Sequence, residues 1–126
     1  MDVDFETLKR GYYDGPLKRN NYIIKNNSEL NNFFEELSFL QLDYPPIPKI
    51  NFSDNIVIAV ARGGCPSEGY GIEIKKLRKD NGKLEVLVEE TNSINDVLTD
   101  ICTYPYHIIK TKKHEGEISF IIISKI

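Results

Sequence analysis

The thiol and imidazole side chains of this chain are few, namely Cys65, Cys102, His107 and His114. A thiol beside an imidazole can act as a nucleophile with its general base, which would make the protein a small hydrolase that uses Cys65. Nothing in the spacing places either histidine beside Cys65, and a cysteine followed by proline in a loop is usually incidental. We therefore expect no catalytic residues and keep the cysteine hydrolase as the last of three hypotheses.

The sequence contains no residue spacing that is typical of a metal or cofactor site. A structural zinc site needs four clustered ligands, whereas the two histidines and two cysteines here are scattered. The cysteines either form one bridge or remain free thiols that pack as small hydrophobic side chains, which is the commoner outcome when cysteine is sparse. We expect neither a metal nor a cofactor.

The most unusual stretch is a glycine-rich segment that runs from Arg62 to Gly71. The apolar run 56–61 before it predicts a strand that is buried on both faces, and the alternation that begins at Tyr70 predicts a half-buried strand. Phosphate loops end in Gly-Lys-Ser/Thr and open a helix, whereas Tyr70 opens a strand, so nucleotide binding is not predicted. A loop held between two anchored strands is instead a place where a scaffold presents a binding surface.

A second unusual stretch, Thr103 to His107, places two tyrosines around Pro105. Tyrosine is enriched at interfaces because its ring carries apolar area and a hydroxyl group. Two interpretations stay open, an exposed interface or the start of a strand with one ring buried. Under the first interpretation, the two stretches lie at one end of the sheet and form a partner-binding surface. Arg62 and Glu68 are then orienting charges at the rim of this surface. Its anchor is Tyr104 or Tyr106. The predicted site consists of Arg62, Gly63, Gly64, Pro66, Ser67, Glu68, Gly69, Tyr70, Thr103, Tyr104, Pro105, Tyr106 and His107.

The elements that must position these residues form a single domain of 126 residues. Strands are predicted near residues 5–10 and 21–25, followed by a helix that begins at Asn27 or Ser28, either of which can cap it. Apolar residues at i, i+3, i+4 and i+7 give this helix one buried face, composed of Leu30, Phe33, Phe34 and Leu37. A proline-rich connection at 42–48 then leads into the second part of the chain.

From residue 55 onward the pattern predicts β-structure. Asn81-Gly82 is typical of a type I′ hairpin, which sets Leu77 against Val86. The alternation before the hairpin has the wrong parity for this pairing, so a bulge is predicted near Lys75. A strand from Ile101 to about residue 111 and a hairpin at 113–116 lead to a last strand at 117–124. The predicted fold is α+β, with one helix packed on a mainly antiparallel sheet that is sandwich-like or strongly curved.

Two blocks of the sequence resemble a known family. The segment 64–74, Gly-Cys-Pro-Ser-Glu-Gly-Tyr-Gly-Ile-Glu-Ile, is similar to the glycine-tyrosine block of the accessory-subunit domain of a bacterial protease complex, the PrcB-type C-terminal domain. The segment 103–110 is similar to that family's second block, and the resemblance covers residues 55–124, while 1–54 match in general plan only. Glu68 departs from the family pattern, which has glycine there. The resemblance implies a non-catalytic accessory domain of an extracytoplasmic protease complex.

A fainter similarity links Pro66–Tyr70 to the loop of chagasin-type inhibitors of cysteine proteases. Those inhibitors are β-sandwiches that insert loops into the protease cleft, and Tyr104-Pro105-Tyr106 is a loose counterpart of their second block. We therefore expect a protein-binding module whose partner is a protease or its complex, with a loop-inserting inhibitor as the alternative.

Composition restricts the other partners. A net charge of −3 gives no reason to expect a polyanionic partner. The basic runs 75–79 and 110–113 are interpreted as solvated strand faces, not as a nucleic-acid surface, because glutamates are predicted on the strand beside the first run. No apolar run is long enough to span a bilayer, and residues 1–20 contain no signal-peptide core. The compartment is extracytoplasmic by family resemblance and otherwise cytoplasmic, and the oligomeric state is left open.

Overall fold

The computed structural model describes residues 1–38, 46–66, 68–92 and 102–125. Eight strands and one helix follow one another along this part of the chain. In order they are β1 Asp2–Val3, β2 Phe5–Gly11, β3 Asn20–Ile24, α1 Asn27–Ser38, β4 Asn55–Ala61, β5 Gly71–Asp80, β6 Lys83–Thr91, β7 Tyr106–Lys112 and β8 Ile118–Lys125. The predicted α+β class is confirmed.

The strands form two stacked sheets. The central sheet has the strand order β2-β7-β4-β3 and is antiparallel throughout, whereas the outer sheet has the order β1-β5-β6-β8 and contains one parallel pair, β6 with β8. Helix α1 packs on one face of the central sheet and the outer sheet packs on its other face. The described residues therefore form three layers and two apolar cores, with the central sheet between the cores.

Strand β4 shows why the central sheet lies inside. Val57 and Ala59 face the helix, whereas Ile56 and Ile58 face the outer sheet, and all four are buried. A strand that is covered on both faces needs apolar residues at every position and not at alternate ones. The unbroken run 56–61 meets this requirement, and its predicted burial on both faces is confirmed.

Helix α1 buries the face that its sequence predicts, since Leu30, Phe33, Phe34 and Leu37 all belong to the core between helix and central sheet. Its cap differs from the prediction. The Glu29 amide donates to Oδ1 of Asn26 at 2.8 Å, so Asn26 and neither Asn27 nor Ser28 is the capping residue. Asn26, Asn27 and Ser28 are all residue types that can accept a hydrogen bond from a free amide of the first helical turn. The sequence alone therefore does not show which of them caps the helix.

The β5–β6 hairpin agrees with its prediction in detail. Asn81 and Gly82 have φ values of 51° and 79°, as a type I′ turn requires. Leu77 lies opposite Val86, and the register shifts between Ile74 and Lys76. The predicted bulge at Lys75 is therefore confirmed.

The last connection was wrongly predicted as a hairpin. β7 lies in the central sheet and β8 in the outer sheet, so residues 113–117 cross between the two layers. The crossing passes the tip of the β5–β6 hairpin, where a Cβ atom on Gly116 would lie 2.2 Å from the carbonyl oxygen of Gly82. Only glycine fits there. A short polar turn is compatible with a hairpin and with a crossing, and the sequence does not distinguish them.

Candidate functional site

The structure brings the two predicted segments together. Cys65 and Thr103 exchange both of their backbone hydrogen bonds, at 2.8 and 2.9 Å, and the Arg62 amide donates to the Pro105 carbonyl at 2.9 Å. These contacts continue the antiparallel pairing of β4 with β7, in which Ala61 lies opposite Tyr106. The two segments were predicted at one end of a single sheet, but the strands that follow them, β5 and β7, belong to different sheets.

Several predicted site residues are buried, so the prediction that they form one exposed surface is wrong for them. The buried members are Gly63, Thr103, Pro105, Tyr106 and His107. Tyr106 is 0% exposed and lies in the core on the helix side of the central sheet. Of the two interpretations of its segment, the start of a strand with one ring buried is the one that the structure supports.

The Tyr106 ring is accommodated by two glycines. A Cβ atom on Gly11 would lie 2.6 Å from the ring, and one on Gly15 would lie 2.8 Å from it. Burial, together with the nearby Asp14 carboxylate, raises the pKa of the Tyr106 hydroxyl above its usual range. This side chain is a packing residue and not the exposed anchor of an interface.

His107 joins the two sheets and does not face solvent. Its Nδ1 accepts a hydrogen bond of 2.9 Å from the Ile74 amide in the outer sheet, which places the proton of the neutral ring on Nε2, 2.9 Å from the Thr7 hydroxyl. Burial, assisted by the positive charge of Arg10, lowers the pKa of His107 from 6.5 to about 4. The ring is therefore neutral at physiological pH and acts as a structural link.

Arg62 also holds the sheets together, so it is not the free rim charge that was predicted. Its guanidinium donates to the carbonyl oxygens of Gly71 at 3.1 Å and Thr91 at 2.6 Å, and also to Oδ1 of Asn92. The ring of Tyr70 covers it at 5.1 Å. One side chain thus fixes the start of β5 and the end of β6 against the end of β4.

The cysteines and histidines do not form a thiol–imidazole pair in the described part of the chain. Cys65 is buried and Cys102 exposed, and both are free, so the bridge between them is not formed. Burial raises the pKa of the Cys65 thiol, although Arg62 acts in the opposite direction. Both histidines have other partners, since His107 contacts Thr7 and Ile74, and His114 contacts the Glu117 carbonyl. A thiol of this kind is a poor nucleophile.

The exposed part of the predicted site is smaller and is shared with residues that the sequence analysis missed. Gly64, Pro66, Glu68 and Gly69 are exposed, Tyr70 and Tyr104 are half-buried, and Ser67 lies outside the described residues. Tyr12, which is 45% exposed, faces Tyr70 across a shallow pocket of about 230 Å³. The lining of that pocket is Arg10, Tyr12, Gly69, Tyr70, Gly71 and Thr91.

Backbone hydrogen bonds hold Tyr104 next to the Tyr12 side of this pocket. Its amide donates to the Tyr12 carbonyl at 2.8 Å, and its carbonyl accepts from the Gly15 amide at 3.0 Å. We call Tyr12, Tyr70 and Tyr104, with the exposed loop residues Gly64, Pro66, Glu68 and Gly69, the tyrosine surface. A pair of aromatic residues in the turn at 12–13 was the sequence signal that could have identified its missing member.

Ion pairs explain the two basic runs. Lys76 lies 3.3 Å from Asp2 and Arg78 lies 2.8 Å from Glu85 in the first run, and Lys113 lies 3.6 Å from Glu115 in the second. This pairing agrees with their interpretation as solvated strand faces. Among the described residues, no three His, Cys, Asp or Glu side chains gather closely enough to bind a metal ion. In the same part of the chain, no helix is both long and apolar enough to cross a membrane.

Comparison with known proteins gives one match. The family model described as PrcB C-terminal matches residues 56–112, which contain the glycine-rich loop, the β5–β6 hairpin and β7. No curated protein and no solved structure matches the chain.

Proposed function

We propose that this chain is a non-catalytic protein-binding domain that assembles with a protease complex, because the PrcB C-terminal family model matches residues 56–112. The family name indicates a domain associated with such a complex, and its accessory character suggests a non-catalytic role. The tyrosine surface is the place proposed for the contact. The observation that carries the proposal is the rigid attachment of its exposed loop.

That attachment has two parts. The base of the loop is fixed to the start of β7 by the Cys65–Thr103 bridge, and Arg62 fixes its two ends to the outer sheet. Between these anchors, Gly64, Pro66, Glu68 and Gly69 remain exposed. A loop whose base and ends are fixed by hydrogen bonds loses less entropy when a partner binds, which favours recognition.

The chemistry of the surface suits a protein partner. Tyr12, Tyr70 and Tyr104 offer aromatic area and hydroxyl groups at low entropic cost, as is typical of protein interfaces. Glu68 adds a charge at the exposed edge, where charges affect the association rate more than the affinity. Of the two predicted anchors, the buried Tyr106 is excluded from direct contact, and Tyr104 remains.

The inhibitor hypothesis receives less support. A loop-inserting inhibitor of the chagasin type needs its second aromatic block beside the loop, and here that block keeps only Tyr104 at the surface, since Pro105 and Tyr106 are buried. Inhibition of a purified papain-like protease by this domain would favour the inhibitor over the assembly domain.

The proposal is tested by replacing Tyr104 with alanine. We expect partner proteins that copurify with the wild-type domain from cells of its source to be lost or greatly reduced, because truncating an aromatic anchor commonly costs about 2 kcal/mol of binding energy. Replacing Glu68 with lysine should have a smaller effect. The measurement is mass spectrometry of the captured proteins, followed by titration of the purified partner.

Replacing Ile47 with alanine is the matched control, because this apolar side chain is exposed but lies outside the tyrosine surface. Its captured proteins should equal those of the wild type, and all variants should unfold at similar temperatures. Unchanged capture by Tyr104→Ala combined with Tyr70→Ala would contradict the proposed contact surface.

A further inference from the structure

The outer edge of β8 is unusual for the end of a sheet. Among the described residues no strand pairs with it, and its pairing with β6 runs without a bulge from Ile118 to Lys125. Natural edge strands are usually protected by proline, bulges or inward-pointing charges. β8 contains no proline or glycine, and Lys125 is its only charged residue. Within the described part of the chain, the backbone groups along this edge therefore have no strand partner and can pair with another strand.

The side chains of β8 are also more exposed than their chemistry favours. Three consecutive isoleucines, Ile121, Ile122 and Ile123, are 37%, 41% and 53% exposed. Ile118 and Phe120 pack against the core between the sheets. Since side chains alternate along a strand, Ile122 points toward the same side as Phe120, and Ile121 and Ile123 point toward the opposite side.

The sequence of this strand is complementary to itself. Glu117 lies four residues before Ile121, and Lys125 lies four residues after it. The Glu117 carbonyl accepts a hydrogen bond of 2.8 Å from the Leu84 amide, so Glu117 continues the line of the strand. When such a strand pairs antiparallel with its own copy about Ile121, opposite charges meet at both ends.

From this complementarity we propose that two copies of the chain pair antiparallel through β8, about a twofold axis at Ile121. Ile121 then faces Ile121 of the second copy, Ser119 faces Ile123, and Phe120 faces Ile122. The two outer sheets become one continuous sheet of eight strands. The twofold pairing uses the free edge of each copy, so association through β8 stops at two.

Charge pairing favours this register over the register that is centred on Ile122. Pairing about Ile122 would place Lys125 opposite Ser119 and leave Glu117 without a residue of β8 across from it. Pairing about Ile121 places Lys125 beside Glu117, whose carboxylate lies 3.9 Å from the Lys83 ammonium and whose side chain is 72% exposed. Apolar contact between Phe120 and Ile122 forms twice in the same register. The interface shares no residue with the tyrosine surface, so the two proposals stand or fall separately.

The test is the molar mass of the purified protein across a range of concentrations, measured by sedimentation. We expect a reversible dimer of twice the 14.5 kDa chain mass. Lys125→Glu places two carboxylates opposite each other at both ends of the interface and should raise the dimer dissociation constant about tenfold or more. Glu117→Lys should do the same. Combining the two substitutions restores opposite charges and should restore the dimer.

Two further variants locate the interface. Ile121→Lys places a lysine opposite its own copy at the twofold axis and should give a monomer, whereas Lys112→Glu, an exposed change on β7, should leave the dimer intact. Circular dichroism confirms that each variant is folded. A wild-type protein that stays at the monomer mass at every concentration overturns the proposal. The proposal is also overturned if Lys125→Glu leaves the dimer dissociation constant unchanged. The same holds if the double variant, Glu117→Lys with Lys125→Glu, does not restore the dimer.

Discussion

Replacing Phe34 with alanine is expected to lower the free energy of unfolding by about 3–5 kcal/mol, the usual cost of deleting a buried aromatic ring. Phe34 is 3% exposed, and its ring meets that of Phe33 edge to face with centroids 6.0 Å apart. A helix of twelve residues is marginal in isolation, so α1 depends on this packing. Urea denaturation followed by circular dichroism measures the change.

Asn32→Ala is the control for this experiment because Asn32 is exposed on the opposite face of the same helix. Its effect should stay within about 0.5 kcal/mol. A loss below about 1 kcal/mol for Phe34→Ala would show that the helix contributes little to the core.

Lowering the pH from 7 to 4 is expected to destabilise the protein by about 2–3 kcal/mol through His107 alone. The folded protein protonates this ring only near pH 4, whereas the unfolded chain does so near 6.5. Unfolding therefore takes up a proton between these values. The contribution of the neutral ring is complete above pH 6.5 and is lost as the pH falls toward 4, because protonation would cost Nδ1 its bond from the Ile74 amide.

His107→Asn separates this contribution from that of the carboxylates. The asparagine side chain can accept the Ile74 hydrogen bond but does not titrate. The variant should be less stable than the wild type at pH 7, and its stability should fall less steeply between pH 6.5 and 4. Denaturation curves at several pH values measure both slopes. Equal slopes in the two proteins would mean that His107 does not control this pH range.

The features predicted correctly from the sequence are those that local chemistry decides. The Asn81-Gly82 turn, the bulge at Lys75 and the apolar face of α1 each depend on residues close together in the chain. The assignment of strands to sheets was not predictable in the same way. A strand such as β8 has the same sequence pattern whether it pairs antiparallel with β7 or parallel with β6.

The same contrast between local and long-range information applies to the candidate site. Turn chemistry identified the loop after Arg62, and the loop does meet the Thr103 segment. Burial of Tyr106 and His107 was missed, because it depends on β7 being central in a sheet that is covered on both faces. The space for the Tyr106 ring comes from Gly11 and Gly15, which lie about ninety residues away in the chain. No single segment of the sequence contains that information.

The N-terminal strands have a consequence for synthesis on the ribosome. Only Asp4 separates β1 from β2, yet β1 joins the outer sheet and β2 joins the central sheet. β1 pairs with β5, whereas β2 pairs with β7, with Phe5 opposite Thr111, so β2 has no strand partner until β7 has been made. We expect nascent chains stalled before β7 emerges to remain sensitive to protease across β2, and to become resistant there once β7 has left the exit tunnel. The central sheet is therefore completed only when β7, made late in synthesis, pairs with β2, made early.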